Sequence, residues 1–284
     1  MMRAINSGFT GWWILTLLTL ALEISPGQDF LLVEGNKLHF ERKGSGFPFM
    51  VFVTGLAGSL SDFDSTFNRV ALVTTGVRYS RSGMGNSSYD RKGKSFDSIV
   101  GELDSFIKAS NVPEPFVLVG HSYGGLIVRS YAKRYPKNVC GLLLIDPTFE
   151  DYFSILGQYE SKAEEVERKE FESWLGADTS SAQHHEVESL WKVWHSRDQW
   201  TQWFEPLPDI PVFVLTSMEV SQGSLRTSEA LMQARYSAHT RLVRKSPFGL
   251  QIGMTRAGHY LHEEDPETFM DAVRIMLRVS RQTK

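Results

Sequence analysis

The segment Phe116-Val117-Leu118-Val119-Gly120-His121-Ser122-Tyr123-Gly124-Gly125 joins four apolar residues directly to a Gly-x-Ser-x-Gly pattern. Phe116 to Val119 fits a short strand buried on both faces. Tyr123 to Tyr135 is helix-prone, and Pro136 ends that run. A serine at so sharp a strand-to-helix turn presents its hydroxyl to the outside. Glycines flank it because a Cβ there would collide with neighbouring backbone. Gly125 extends the small patch where the helix packs closely.

Outward from this turn, strand and helix alternate. Phe30–Val33 and Leu38–Glu41 flank Gly35-Asn36 and read as a hairpin. Phe49–Thr54, Val77–Tyr79, Leu142–Ile145, Pro211–Thr216 and Leu250–Met254 read as further strands. Phe96, Ile99, Val100, Leu103, Phe106 and Ile107 recur at helical spacing and predict a helix over Phe96–Ala109. Ser228–Ala238 and Pro266–Val279 are also predicted helices, the second with proline in its first turn. Such alternation predicts a parallel sheet covered by helices on both sides. Phe149 to Pro206 breaks the rhythm. It offers a charged helix over Glu160–Trp174 and a tryptophan-rich one over Glu186–Phe204, with Trp191, Trp194, Trp200 and Trp203. The expected organisation is a core over residues 28–148 and 207–284, with a helical insertion over 149–206.

Serine is a poor nucleophile at neutral pH and needs a base. His259, in Ala257-Gly258-His259-Tyr260 after the last strand, is the candidate. His262 lacks the preceding glycine, and His121 shapes the turn. An acid must orient the imidazole. Asp146 and Glu219 compete, because the order serine, acid, histidine fits either. Asp146 is preferred, since a carboxylate at the end of an apolar strand is costly without a partner. Its other reading is a turn residue before Pro147. An oxyanion needs two backbone donors. The N–H groups of Tyr123 and of Leu56, in Thr54-Gly55-Leu56-Ala57-Gly58, are the candidates.

Together these residues resemble the α/β-hydrolase superfamily, over nearly everything from Phe30 to Val279. The resemblance includes Gly55, Arg81-Ser82-Gly83-Met84-Gly85, the Gly120–Gly125 elbow, Asp146-Pro147, Gly258-His259 and Asp265-Pro266-Glu267. It implies an α/β-hydrolase fold: a mostly parallel eight-stranded sheet flanked by helices, with 149–206 as a helical lid. Two departures stand out. Many relatives carry His-Gly where this chain has Thr54-Gly55, and an aspartate where it has Met218-Glu219. The serine argues against branches that use an elbow aspartate.

The implied activity is that of a carboxylesterase-like serine hydrolase, cleaving an ester or related acyl bond of a small apolar substrate without a cofactor. Carbon–carbon hydrolysis, thioesterase, amidase or lyase chemistry fits the same triad. So does a ligand-binding, receptor-like protein with little turnover. His121, Trp191 and Trp194 are candidate pocket residues. The tryptophans can equally glue the insertion to the core.

Composition narrows the field further. The chain has 284 residues, a net charge of −3 and no Lys/Arg-rich tract, which argues against a nucleic-acid partner. Cys140 is the single cysteine and lies in an apolar run, so it reads as a core thiol. No Cys/His spacing predicts a metal site, and the adjacent His184-His185 pair is weak support for one. Arg3 precedes the apolar run Gly11–Leu22, closed by Glu23, Pro26 and Gly27. That run is shorter than the roughly 20 residues a bilayer span needs. Residues 1–27 therefore predict a signal peptide and secretion, or else an uncleaved membrane anchor. Asn86-Ser87-Ser88 would then be an available glycosylation sequon.

Overall fold

Every residue of β3 (Met50–Val53), β4 (Gly76–Tyr79), β5 (Phe116–His121) and β7 (Val212–Ser217) is buried. Strands of this kind are covered on both faces. The computed structural model describes residues 30–157, 162–175, 178–221 and 228–282. The choice between signal peptide and anchor falls outside them. Among the described residues, no helix is long and apolar enough to cross a membrane.

The other strands are β1 (Phe30–Val33), β2 (Asn36–Lys43), β6 (Val139–Ile145) and β8 (Gly249–Met254). The described strands form one eight-stranded sheet in the order β1-β2-β4-β3-β5-β6-β7-β8. β2 pairs antiparallel with β1 and β4, and every other pairing is parallel. The first hairpin turns on Glu34-Gly35, both at positive φ (48° and 87°), one residue before the expected Gly35-Asn36.

Alternate strand residues feed two cores. Val51, Val53, Leu118, Leu142 and Val214 meet α2 (Phe96–Ala109) and α3 (Tyr123–Arg134) on one face. Phe52, Val119, Leu143, Ile145 and Leu215 meet α1 (Asp64–Val70) and α10 (Pro266–Ser280) on the other. Helix starts follow local chemistry. Ser95 and Ser98 cap α2 reciprocally, and Asp265 accepts from the Thr268 N–H with Pro266 opening α10. Cys140 is only partly buried at the start of β6, packed against the second core, so the core-thiol reading holds in part.

Between β6 and β7 lie α4 (Tyr152–Leu156), α5 (Ala163–Leu175), α6 (Ala182–His195) and α7 (Trp200–Phe204). The single helix expected over 186–204 is thus two helices, broken at Ser196 (φ −103°, ψ 59°). Side chains take the last carbonyls of α6. His195 Nδ1 donates to the Trp191 carbonyl (2.8 Å), and Trp200 Nε1 donates to that of Val193 (2.7 Å). Helix α8 (Glu229–Val243) and the short α9 (Leu261–Glu264) flank β8.

Candidate active site

The parallel strands bring their carboxyl ends to one edge of the sheet, where α/β folds usually build sites. β5 ends there at His121 and turns at Ser122, whose φ of 49° and ψ of −119° are forced for a residue with a side chain. The turn is tied down. The Ser122 N–H donates to the Ile145 carbonyl (3.0 Å), and the Ser122 carbonyl accepts from the N–H groups of Gly125 (2.9 Å) and Thr148 (3.0 Å). A Cβ at Gly120 would lie 2.7 Å from the Gly124 carbonyl, and one at Gly125 would lie 2.5 Å from Pro147 Cβ. The helix crosses the strand end too closely for either.

β6, the neighbouring strand, ends at Ile145 and is followed by Asp146, also at positive φ (38°). One carboxylate oxygen accepts the Ser217 N–H (3.1 Å), and the other accepts from His259 Nδ1 (2.8 Å). The Arg235 guanidinium lies 3.5 Å from that second oxygen. Burial pushes the Asp146 carboxyl up, but the His259 hydrogen bond and the charge of Arg235 outweigh it and hold it at about 2. The carboxylate is therefore charged at neutral pH although its side chain is almost wholly buried.

His259 sits on the loop after β8, and three bonds fix that loop. Ser217 Oγ donates to the Ala257 carbonyl (2.9 Å), the Gly258 N–H donates to Glu264 (2.7 Å), and His121 Nε2 donates to the His259 carbonyl (3.0 Å). The His259 side chain is 47% exposed while that of Asp146 is 2% exposed. The imidazole thus has one edge on a buried anion and the other open. Glu219, the rival acid, packs against Gly258, where an added Cβ would meet its carboxylate at 2.9 Å. Among the described contacts, the acid on His259 is Asp146.

Ser122, His259 and Asp146 open on one cavity of about 660 Å³, together with Gly55, Leu56 and His121. Residues 50–272 match the Alpha/beta hydrolase family. This chain belongs to that family. Bacillus subtilis YqjL, described as uncharacterized, is 32% identical over 127 residues, which is 42% of this chain and 47% of YqjL. Cis-3-alkyl-4-alkyloxetan-2-one decarboxylase of Shewanella oneidensis is 29% identical over 128 residues, 42% of this chain and 38% of that enzyme. The chain spans less than half the length of these curated relatives. Among solved structures, a thermophilic esterase from Thermogutta terrifontis superposes with a TM-score of 0.61 at 18% identity, covering 88% of this chain and 98% of the esterase. At that identity the likeness concerns the fold.

In this alpha/beta hydrolase the insertion walls the cavity with Phe149, Tyr152, Phe171, Leu190 and Trp194. Trp194 Nε1 donates to the Phe149 carbonyl (3.2 Å), which turns the ring's face toward its neighbours. Trp191 is not among the residues that line the cavity. It packs on Phe153 and Trp194, with the Arg168 guanidinium over its ring. Trp203 and Phe204 pack on Phe96 of α2. For these three the gluing role describes their surroundings. Among the described residues, Asp62, Glu167, Glu170, Glu219 and Arg235 also line the cavity.

Several residues at the site escape the sequence. Ser217 and Arg235 touch Asp146, and nothing in their local pattern marks them. His239 carries the Asp146-Pro147 turn by donating from Nε2 to the Pro147 carbonyl (2.8 Å), with Nδ1 on Thr216 (2.9 Å). His262 donates to the Asp62 carbonyl (2.7 Å). Burial lowers both histidines to about 4, and it lowers His121 as well, helped by the charges of His259 and His262.

These shifts set an acid limit for the alpha/beta hydrolase. Unfolded, His239 and His262 take up protons near pH 6.5, but folded they resist until about 4. The unfolded chain binds more protons in that window, so stability falls as pH falls through it. Each contributes a loss of about 1.4 kcal/mol per pH unit there. Below about pH 4, Asp146, Glu150 and Glu186, each held at about 2 in the fold, add to the loss. Thermal melting is expected to be highest at pH 7 and to drop steadily toward pH 4. A flat melting temperature between pH 7 and 4.5 would mean that these histidines are already charged in the folded protein.

Proposed function

We propose that this chain is a serine hydrolase that cleaves an ester or related acyl bond through Ser122, His259 and Asp146. The carrying observation is the His259–Asp146 pair opening on the same cavity as a serine held at a strained strand-to-helix turn. Asp146 keeps the proton on Nδ1, which leaves Nε2 free to accept one. His259 then takes the Ser122 proton as Oγ attacks the carbonyl carbon, and the carbonyl oxygen gains the charge. The N–H groups of Leu56 and Tyr123 would hold that charge. His259 returns the proton to the leaving alcohol. A water, deprotonated in its turn by His259, releases the acid and regenerates Ser122.

The walls bear on substrate. Aromatic rings from the insertion suit an apolar acyl or alcohol group, which makes the insertion a lid in function. The Shewanella relative, a decarboxylase by name, keeps carbon–carbon chemistry as the second reading.

The experiment is fluorophosphonate labelling of the full chain beside Ser122→Ala, with turnover of p-nitrophenyl acetate, butyrate and decanoate. Labelling that disappears in Ser122→Ala, accompanied by ester turnover, is the expected result. A folded wild type that neither labels nor turns over any ester would sink the proposal and favour a ligand-binding protein.

A further inference from the structure

The peptide that carries the Leu56 N–H is gripped from behind. Arg81, at the end of β4, is completely buried, and its Nη2 donates to the Gly55 carbonyl (2.6 Å). Its Nη1 donates to the carbonyl (2.9 Å) and hydroxyl (3.0 Å) of Thr54. The other edge of the guanidinium forms a two-pronged pair with Glu186 of α6, Nε at 2.6 Å and Nη2 at 2.8 Å. Glu186 also accepts the Ala57 N–H (3.0 Å) and lies 3.3 Å from Lys94 Nζ. Thr54, Gly55 and Ala57 are thus all held by one ion cluster whose acid comes from the insertion.

The Gly55–Leu56 peptide is trans, so its carbonyl and N–H point in opposite directions. The carbonyl is fixed on Arg81, and Gly55 and Leu56 both line the cavity. A cation on the carbonyl also polarises the amide and makes its N–H a stronger donor. The second donor belongs to Tyr123, whose hydroxyl meets Ser189 Oγ of the same helix at 3.1 Å.

We propose that Arg81, locked by Glu186, is a positioning residue for the Leu56 oxyanion donor, and that helix α6 therefore takes part in transition-state stabilisation. The inference rests on the acyl-transfer reading above. A buried ion pair kept only for stability behaves differently, because apolar groups of similar volume usually replace such a pair without loss of folding.

The test uses the full chain, with p-nitrophenyl butyrate as substrate and an alkyl trifluoromethyl ketone as the oxyanion-forming inhibitor. Arg81→Lys keeps the charge but loses the fork. Arg81→Met combined with Glu186→Leu and Lys94→Met removes the three charges of the cluster and fills the space, and it carries the test should the lysine variant fold poorly. Losing one oxyanion donor costs about 10²–10³ in kcat, so misplacing it is expected to cost about 10- to 100-fold. KM should stay near the wild-type value, and ketone affinity should fall by the same factor as kcat. A folded variant with unchanged kcat and unchanged ketone affinity would overturn the inference. Failure of the acyl-transfer reading is separate: it appears in the wild type, as absent Ser122 labelling and absent turnover.

Discussion

Asp146→Asn is expected to lower kcat on p-nitrophenyl butyrate by about 10⁴, the scale found when the acid of a serine triad loses its charge. The local hydrogen bonds explain why so small a change costs so much. One side-chain oxygen at position 146 must still accept the Ser217 N–H, which lies 3.1 Å away. The new amide nitrogen then faces His259 Nδ1, where the carboxylate accepted at 2.8 Å. A donor in that place demands an acceptor, so Nδ1 loses its proton and Nε2 carries it instead. The ring then presents an N–H to Ser122 and cannot take its proton. Glu219→Gln makes the contrast, because Glu219 packs on Gly258 and shows no bond to the imidazole among the described contacts. Its kcat should remain near wild type. If Glu219→Gln proved the damaging change and Asp146→Asn the mild one, the acid would have to be reassigned.

Much of this was legible from residues 116–125 alone, for a physical reason. A strand buried on both faces is mostly apolar, and a turn as tight as the one at Ser122 must be flanked by glycine. Both constraints are local, so both appear in the sequence. The carboxyl end of β6, with Asp146 just beyond it, follows from the same logic, whereas its start at Val139 lies three residues before the expected Leu142. Choosing between Asp146 and Glu219 needed the third dimension, because both carboxylates follow strands at the active edge and only distance separates them. Arg235 and His239 were invisible for a related reason. They lie on α8, whose sequence carries only the demand for a helix, and their contacts cross to residues 146 and 147. The tryptophans of the insertion show the limit most plainly. Trp191 and Trp194 lie one helical turn apart, yet Trp194 lines the cavity while Trp191 packs on Phe153 under the Arg168 guanidinium. Helical periodicity places both on neighbouring faces but cannot say which face meets a void. Arg81 stood in a segment already named in the family resemblance, but its partner Glu186 lies far along the chain, and no spacing rule joins them.

Gly124→Ala and Gly101→Ala should shift stability in opposite directions, although both place one methyl group in an α-helix. At Gly101, within α2, nothing lies within 4 Å of the added Cβ. Alanine there gains helix propensity and restricts the unfolded chain, a stabilisation of up to about 1 kcal/mol. At Gly124, in the first turn of α3, the Cβ would stand 2.3 Å from the Val53 carbonyl and 2.6 Å from that of Thr54. Both contacts are with backbone at the end of β3, so no side chain can swing aside. Either α3 backs away from the sheet or β3 bends, and overpacking of this kind costs about 3 kcal/mol or more. A domain of this size loses roughly 2–4 °C of melting temperature per kcal/mol, so a drop of about 10 °C is expected. Activity should fall further than stability explains. The helix carries Tyr123 next to Ser122, and the strand end leads into Gly55 and Leu56, so movement of either disturbs the site. Thermal melting and ester turnover of the two variants, measured side by side, decide the matter. A Gly124→Ala protein as stable and as active as Gly101→Ala would mean that α3 does not sit against β3 as closely as these distances require.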